Sequence, residues 1–157
     1  MELLQALGDS GLAAWLRRPG PAYPLANAAH ILSLGLLIGS IAVLDLRLLG
    51  VIRSAPVSAL GPVLSRAAAA GLLAAMATGV VLLSVRPPAY LANPAFLAKL
   101  ALVGLGVANA GAVRLNPAWR RALADGPVAG SLRAQAAASL AIWVGAVVAG
   151  RWIGFLM

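Results

Sequence analysis

His30, Lys99 and Arg151 each stand inside an otherwise apolar stretch, and no acidic residue occurs within ten positions of any of them. Ionisable groups in such stretches are costly to bury, so each is a candidate functional position. An imidazole can take the iron of a haem, while an ammonium and a guanidinium can neutralise its propionates. The expected cofactor is therefore haem b or a porphyrin, with His30 as axial metal ligand and Lys99 and Arg151 as carboxylate partners. A plainer reading stands beside it. Lys99 and Arg151 snorkel to phospholipid headgroups, and His30 donates to a backbone carbonyl across a helix interface. No catalytic residue is assigned.

Asp45 falls near Arg47 in sequence, at the level expected for Arg66, Arg114 and Arg133. A structural ion pair is the expectation there, with a proton relay as the sharper alternative. Met76 stands mid-segment, as plain packing or as a second axial ligand. Trp119, Trp143 and Trp152 read as interface anchors or interior filler.

Other chemistries are excluded. A single histidine cannot make a bis-His haem within one chain. His30 has no acidic residue within a helical turn to orient it as the base of a nucleophilic triad. No glycine-rich phosphate loop ending in Lys-Ser/Thr is present. Without cysteine, and with three methionines, there are no thiolate metal sites or disulfides, and a copper pathway lacks soft ligands.

These residues need helices to position them. The 157 residues are 62% hydrophobic and 10% charged, with mean hydropathy +0.94. A soluble domain runs near 45–50% apolar and about 25% charged, so an integral membrane protein is expected. Four apolar segments separate, at about 25–49, 64–85, 94–113 and 132–157. Each reaches the roughly 20 residues that cross about 30 Å of hydrocarbon. Breakers fall between them: Pro19, Gly20, Pro21 and Pro24, then Pro56, Gly61 and Pro62, then Pro87 and Pro88, then Asn116, Pro117, Asp125, Gly126 and Pro127. Residues 1–20 read as an interfacial amphipathic helix (Glu2–Leu16) and lead-in, with Trp15, Arg17 and Arg18 at headgroup level. Residues 21–157 form the transmembrane domain. The fold class expected is an all-α, four-transmembrane-helix bundle.

On the first span Asn27, His30, Leu34, Ile41 and Asp45 share one side at about 100° per residue, and Gly35 and Gly39 make a small-xxx-small pair on the other. The glycine side is expected to pack tightly against another helix. The first and third spans run parallel and the fourth antiparallel, which sets His30, Lys99 and Arg151 at similar depth.

The net charge of +8 would suggest a polyanion in a soluble chain. Here the basic residues collect at span ends, the pattern of topology signals and of contacts to anionic lipid, so nucleic acid is not an expected partner. Arg47, Arg53, Arg66, Arg114, Arg120, Arg121 and Arg133 flank the connections after the first and third spans, against Arg17, Arg18, Arg86 and Arg151 on the other side. Seven against four favours both termini outside.

The run Leu25–Gly50 (LANAAHILSLGLLIGSIAVLDLRLLG) and the run Asn93–Ala110 (NPAFLAKLALVGLGVANA) resemble a family of small bacterial four-helix inner-membrane proteins catalogued as a domain of unknown function. The resemblance covers Ala22–Met157 and implies fold and location rather than an activity. More distantly, the early His and later Lys are similar to HemJ-type protoporphyrinogen oxidase and to the copper-resistance protein D family. The former would make His30 a haem ligand and Lys99 a residue needed for activity. The leading expectation is thus a bacterial inner-membrane protein binding b-type haem or a porphyrin, for electron transfer or oxidation of a lipophilic substrate. The alternative is a non-enzymatic oligomeric membrane subunit or small-solute permease, partnered by a second copy through the Gly35/Gly39 face.

Overall fold

Hydrocarbon offers the backbone no hydrogen-bond partner, so a spanning chain must satisfy each N–H and C=O within itself. The computed structural model, which describes residues 2–156, meets this with helices; Met157, the expected end of the fourth span, lies outside the described residues. Four helices are long and apolar enough to cross a membrane, α3 (Ala22–Leu49), α4 (Val57–Leu83), α6 (Pro94–Leu115) and α8 (Gly130–Trp152). The chain is an all-α, four-helix, multi-pass membrane protein. Among the described residues there is no strand.

Short helices fill the ends: α1 (Glu2–Gly8), α2 (Gly11–Arg17), α5 (Pro87–Leu91) and α7 (Pro117–Leu123), with a 3-10 turn at Ile153–Phe155. The single N-terminal helix expected over Glu2–Leu16 is two. Ser10 divides them, its hydroxyl accepting from the Ala13 amide at 3.2 Å and donating to the Leu7 carbonyl at 2.7 Å, so one side chain stops α1 and starts α2. Arg17 then donates to the carbonyls of Gly8 at 2.9 Å and Val85 at 3.3 Å. The pair is thereby tied to the orphan carbonyls past the end of α4.

Several breakers read differently in three dimensions. Pro87, Pro88, Pro94 and Pro117 occupy the first positions of helices, where a missing N–H costs nothing. Helix α4 begins at Val57 rather than near residue 64 and carries Pro62 within it. Pro62 forfeits one backbone bond near the helix end, where water and headgroups can satisfy the freed carbonyl. Gly50, at φ 84°, ends α3, a conformation that favours glycine. Asn93 caps α6 by accepting from the Ala95 and Phe96 amides at 2.9 and 3.3 Å, and donates to the Ile153 carbonyl at 3.2 Å. One buried amide thus fixes the start of α6 against the end of α8.

Lipid tails are as apolar as leucine, so span association depends on close packing at small residues. A Cβ on Gly71 would stand 2.6 Å from the Leu37 backbone nitrogen, which makes Gly71 the crossing point of α3 and α4. A Cβ on Gly106 would stand 2.7 Å from the Trp143 ring, which makes Gly106 that of α6 and α8. Helix α3 also contacts α8, giving the order α4–α3–α8–α6. The expectation that Gly35 and Gly39 make the tight packing is corrected: nothing lies within 4 Å of a Cβ at either. They face outward with Ile31 and Leu32, which are 59% and 75% exposed.

Replacing Gly71 by valine forces α3 and α4 apart, at a cost of about 1–3 kcal/mol. Thermal unfolding of the purified chain in detergent, followed by circular dichroism, should show a clearly lowered midpoint. Gly35→Ala, in open space, should leave it unchanged, and equal effects from both would refute this packing.

Candidate functional site

His30 lies two turns before Leu37 on α3, and Thr78 lies two turns after Gly71 on the antiparallel α4. The Gly71 crossing therefore brings the two side chains together, with His30 Nδ1 2.8 Å from Thr78 Oγ1. The hydroxyl has one proton, and it donates that proton to the Ala74 carbonyl at 2.7 Å. With its proton on that carbonyl, Thr78 accepts from the ring, and His30 is then the Nδ1–H tautomer with the Nε2 lone pair free; with its proton on Nδ1 the tautomer is the reverse. The Nδ1–H form is the arrangement that orients a metal-binding imidazole, whose other nitrogen is held by an outer partner. The ring edge also rests on Gly79, where a Cβ would stand 3.4 Å from His30 Cε1.

Lys99 stands close enough to His30 for its charge to act on the imidazole. Its stem lies along Gly150 of α8, where a Cβ would be 3.4 Å from Lys99 Cδ and 3.6 Å from Nζ. His30, Lys99 and the Gly150 backbone thus gather at one level of three helices. Arg151 does not join them. It is exposed, with its guanidinium 4.9 Å above the Phe155 ring on its own chain end. Met76 is 57% exposed on the outer side of α4, so it does not supply a second ligand beside His30. No group of three or more His, Cys, Asp or Glu residues able to hold a metal occurs among the described residues.

At the other end of the bundle the expected ion pair of Asp45 is not formed. The carboxylate is buried at 6% exposure, and its Oδ2 has no hydrogen-bond partner. The arginines of the nearby connections turn elsewhere. Arg47 Nε donates to the Ala55 carbonyl at 2.5 Å and Arg53 Nε to the Gly50 carbonyl at 2.8 Å, both closing the α3–α4 turn. Asp45 instead lines a cleft of about 360 Å³ that draws walls from all four spans and from Trp119 of α7. Trp119 and Trp143 are buried wall residues, 8% and 5% exposed, while Trp152 is exposed.

Sequence reasoning missed Thr78, Gly71 and the cleft. A threonine among alanines has no signal of its own; only its placement two turns from the crossing matters. The model of a family of unknown function, DUF6644, matches residues 19–156. No curated protein and no solved structure matches the chain.

Removing the Thr78 acceptor should release the tautomer. In nitrogen-15 NMR of the histidine ring, the wild-type chain should show a protonated Nδ1 and unprotonated Nε2 above the titration range. In Thr78→Val this preference should be lost, because the bond at stake is worth about 1 kcal/mol. A wild-type ring protonated at Nε2 would disprove the assignment.

Proposed function

Because this chain belongs to the DUF6644 family, whose function is unknown, its activity has to be read from its own side chains, and we propose that it binds haem b or a porphyrin through His30. The observation that carries this reading is the 2.8 Å contact between His30 Nδ1 and Thr78 Oγ1, which in the Nδ1–H tautomer leaves Nε2 for a metal. Lys99, lying along Gly150 of α8 and with no acidic partner among the described residues, suits a propionate. Arg151 can serve the second propionate only by leaving Phe155 for the site, a side-chain rotation on an exposed surface. When bound, such a group supplies one-electron chemistry, used for electron transfer or for oxidation of a lipophilic substrate. The chain's own part is to hold the ring nitrogen in one tautomer and to neutralise carboxylates within a low-dielectric layer. The likeness to HemJ-type protoporphyrinogen oxidase and to copper-resistance protein D rests on the His and Lys positions alone, and porphyrinogen is one candidate for the lipophilic substrate.

The reading extends to location. The arginine excess on the connections after α3 and α6 supports a bacterial inner membrane with both termini periplasmic. The surrounding anionic lipids would take the remaining surface arginines. The chain has no cysteine, so single-cysteine labelling can test the orientation directly. An impermeant maleimide added to intact inner-membrane spheroplasts should label Ala89→Cys and spare Ser54→Cys; the reverse pattern inverts the topology.

A second reading has its own observation. Gly35 and Gly39 face open space on α3, so a second copy could approach there, as in an oligomeric subunit or permease without cofactor. Absorption spectra of the chain purified in mild detergent, oxidised and dithionite-reduced, separate the two. A Soret band with reduced α and β bands is expected, lost in His30→Ala and weakened about 10–100-fold in cofactor affinity in Thr78→Val. A flat spectrum after expression with added haem sinks the cofactor reading. The oligomer reading then stands if Gly39→Leu reduces the assembly's mass in detergent, and falls if it does not.

A further inference from the structure

About 22 Å along α3 from His30, Asp45 presents a different problem. Its carboxylate is 6% exposed inside a span, and Oδ2 accepts no hydrogen bond. An ionised carboxylate in such a place needs a counter-charge or a full set of donors, and without them it takes up a proton. Ser139, buried on α8, stands beside it and offers one hydroxyl. Arg114 lines the same cleft but is exposed and forms no ion pair with Asp45. Empty, the site can keep the carboxyl neutral by a proton; in its ionised form the counter-charge has to come from outside the chain.

The cleft shows what kind of partner fits. Helices α4 and α6 stand apart, α3 and α8 form the floor between them, and the volume is about 360 Å³. That lies at the small end of ligand sites, which run from about 300 to 1,000 Å³. Its apolar lining includes Leu37, Leu72 and Trp143, and its polar lining includes Asp45, Ser139, Ser65, Asn109 and Arg114. A bare metal ion would need several oxygen ligands, and no such group occurs among the described residues. A neutral hydroxyl would leave the carboxylate uncompensated. A protonated amine supplies both charge and donors, and indole faces attract cations.

We propose that the cleft between α4 and α6 binds a lipophilic ammonium ion, its amine against Asp45 and its apolar body against Leu37, Leu72 and Trp143. This site is separate from the one at His30 and does not depend on a cofactor there.

The full chain in mild detergent is titrated with 1-naphthylmethylammonium and, in parallel, with the uncharged 1-naphthylmethanol. Tryptophan fluorescence and the thermal unfolding midpoint are followed. The wild-type chain should bind the ammonium roughly tenfold or more tightly than the alcohol, and saturation should raise its midpoint. Asp45→Asn should abolish the preference while melting no lower than wild type, because an amide of the same shape keeps the packing and cannot ionise. Equal binding of the two probes would overturn the proposal in favour of a neutral occupant. Absence of binding, or a preference that survives in Asp45→Asn, would overturn it outright. The probe comparison on the wild-type chain decides even if the variant fails to fold.

Discussion

Helices α3 and α4 touch backbone to backbone where Gly71 meets Leu37, and most of what is specific about this protein depends on that approach. In a bilayer, water does not press apolar helices together, so contact at a small residue has to supply what the hydrophobic effect supplies elsewhere. Because the two helices run antiparallel, two turns from the crossing in one direction bring His30 to Thr78. Eight residues in the other direction on α3 bring Asp45 to the floor of the cleft. Both polar sites are therefore fixed by a single apolar crossing that contains neither.

The second crossing, Gly106 under Trp143, places α6 on α8 rather than on α4. The bundle is consequently open along one side, and the opening is the cleft. A tryptophan over a glycine gives a wide, rigid contact, and the same Trp143 lines the cleft. Polar links then secure the ends. Asn93 joins the start of α6 to the end of α8, and Asn116 donates to the Gln135 side chain at 3.0 Å while capping α7 at 3.0 Å. Such bonds cost little at the membrane boundary, where caps find partners in headgroups as well as protein.

The two ionisable clusters differ in kind. At His30 the cation Lys99 acts on a ring held by Thr78, with no acid among the described residues to neutralise it. At Asp45 an acid stands without an ion pair, although Arg114 lines the same cleft. Each is incomplete in the opposite sense, and about 22 Å of apolar helix separates them, too far for one to complete the other. A site that lacks a counter-charge in low dielectric is the kind of place where a ligand is retained.

Composition and run length alone determined that this chain crosses a membrane four times, because a bilayer demands about 20 apolar residues per helix and admits little else. They also marked His30, Lys99, Arg151 and Asp45, since ionisable residues are conspicuous against 62% hydrophobic sequence. Local chemistry was less legible. Pro62 reads as a stop in one dimension and is carried within α4 near its end, while Ser10 divides a helix that periodicity alone would leave whole. What only the tertiary structure decided is which glycines matter and which polar groups meet. Gly35 and Gly39 match the small-residue spacing that predicts contact, yet Gly71 and Gly106 make it, because a glycine's value depends on whether another backbone or ring arrives there. Asp45 had four arginines near it in the expected layout and pairs with none of them: Arg47 is spent on the Ala55 carbonyl, Arg66 and Arg133 are exposed, and Arg114 lines the cleft without forming an ion pair. Thr78 acquired its role only when the crossing at Gly71 set it against His30, a consequence of antiparallel geometry that no linear spacing contains.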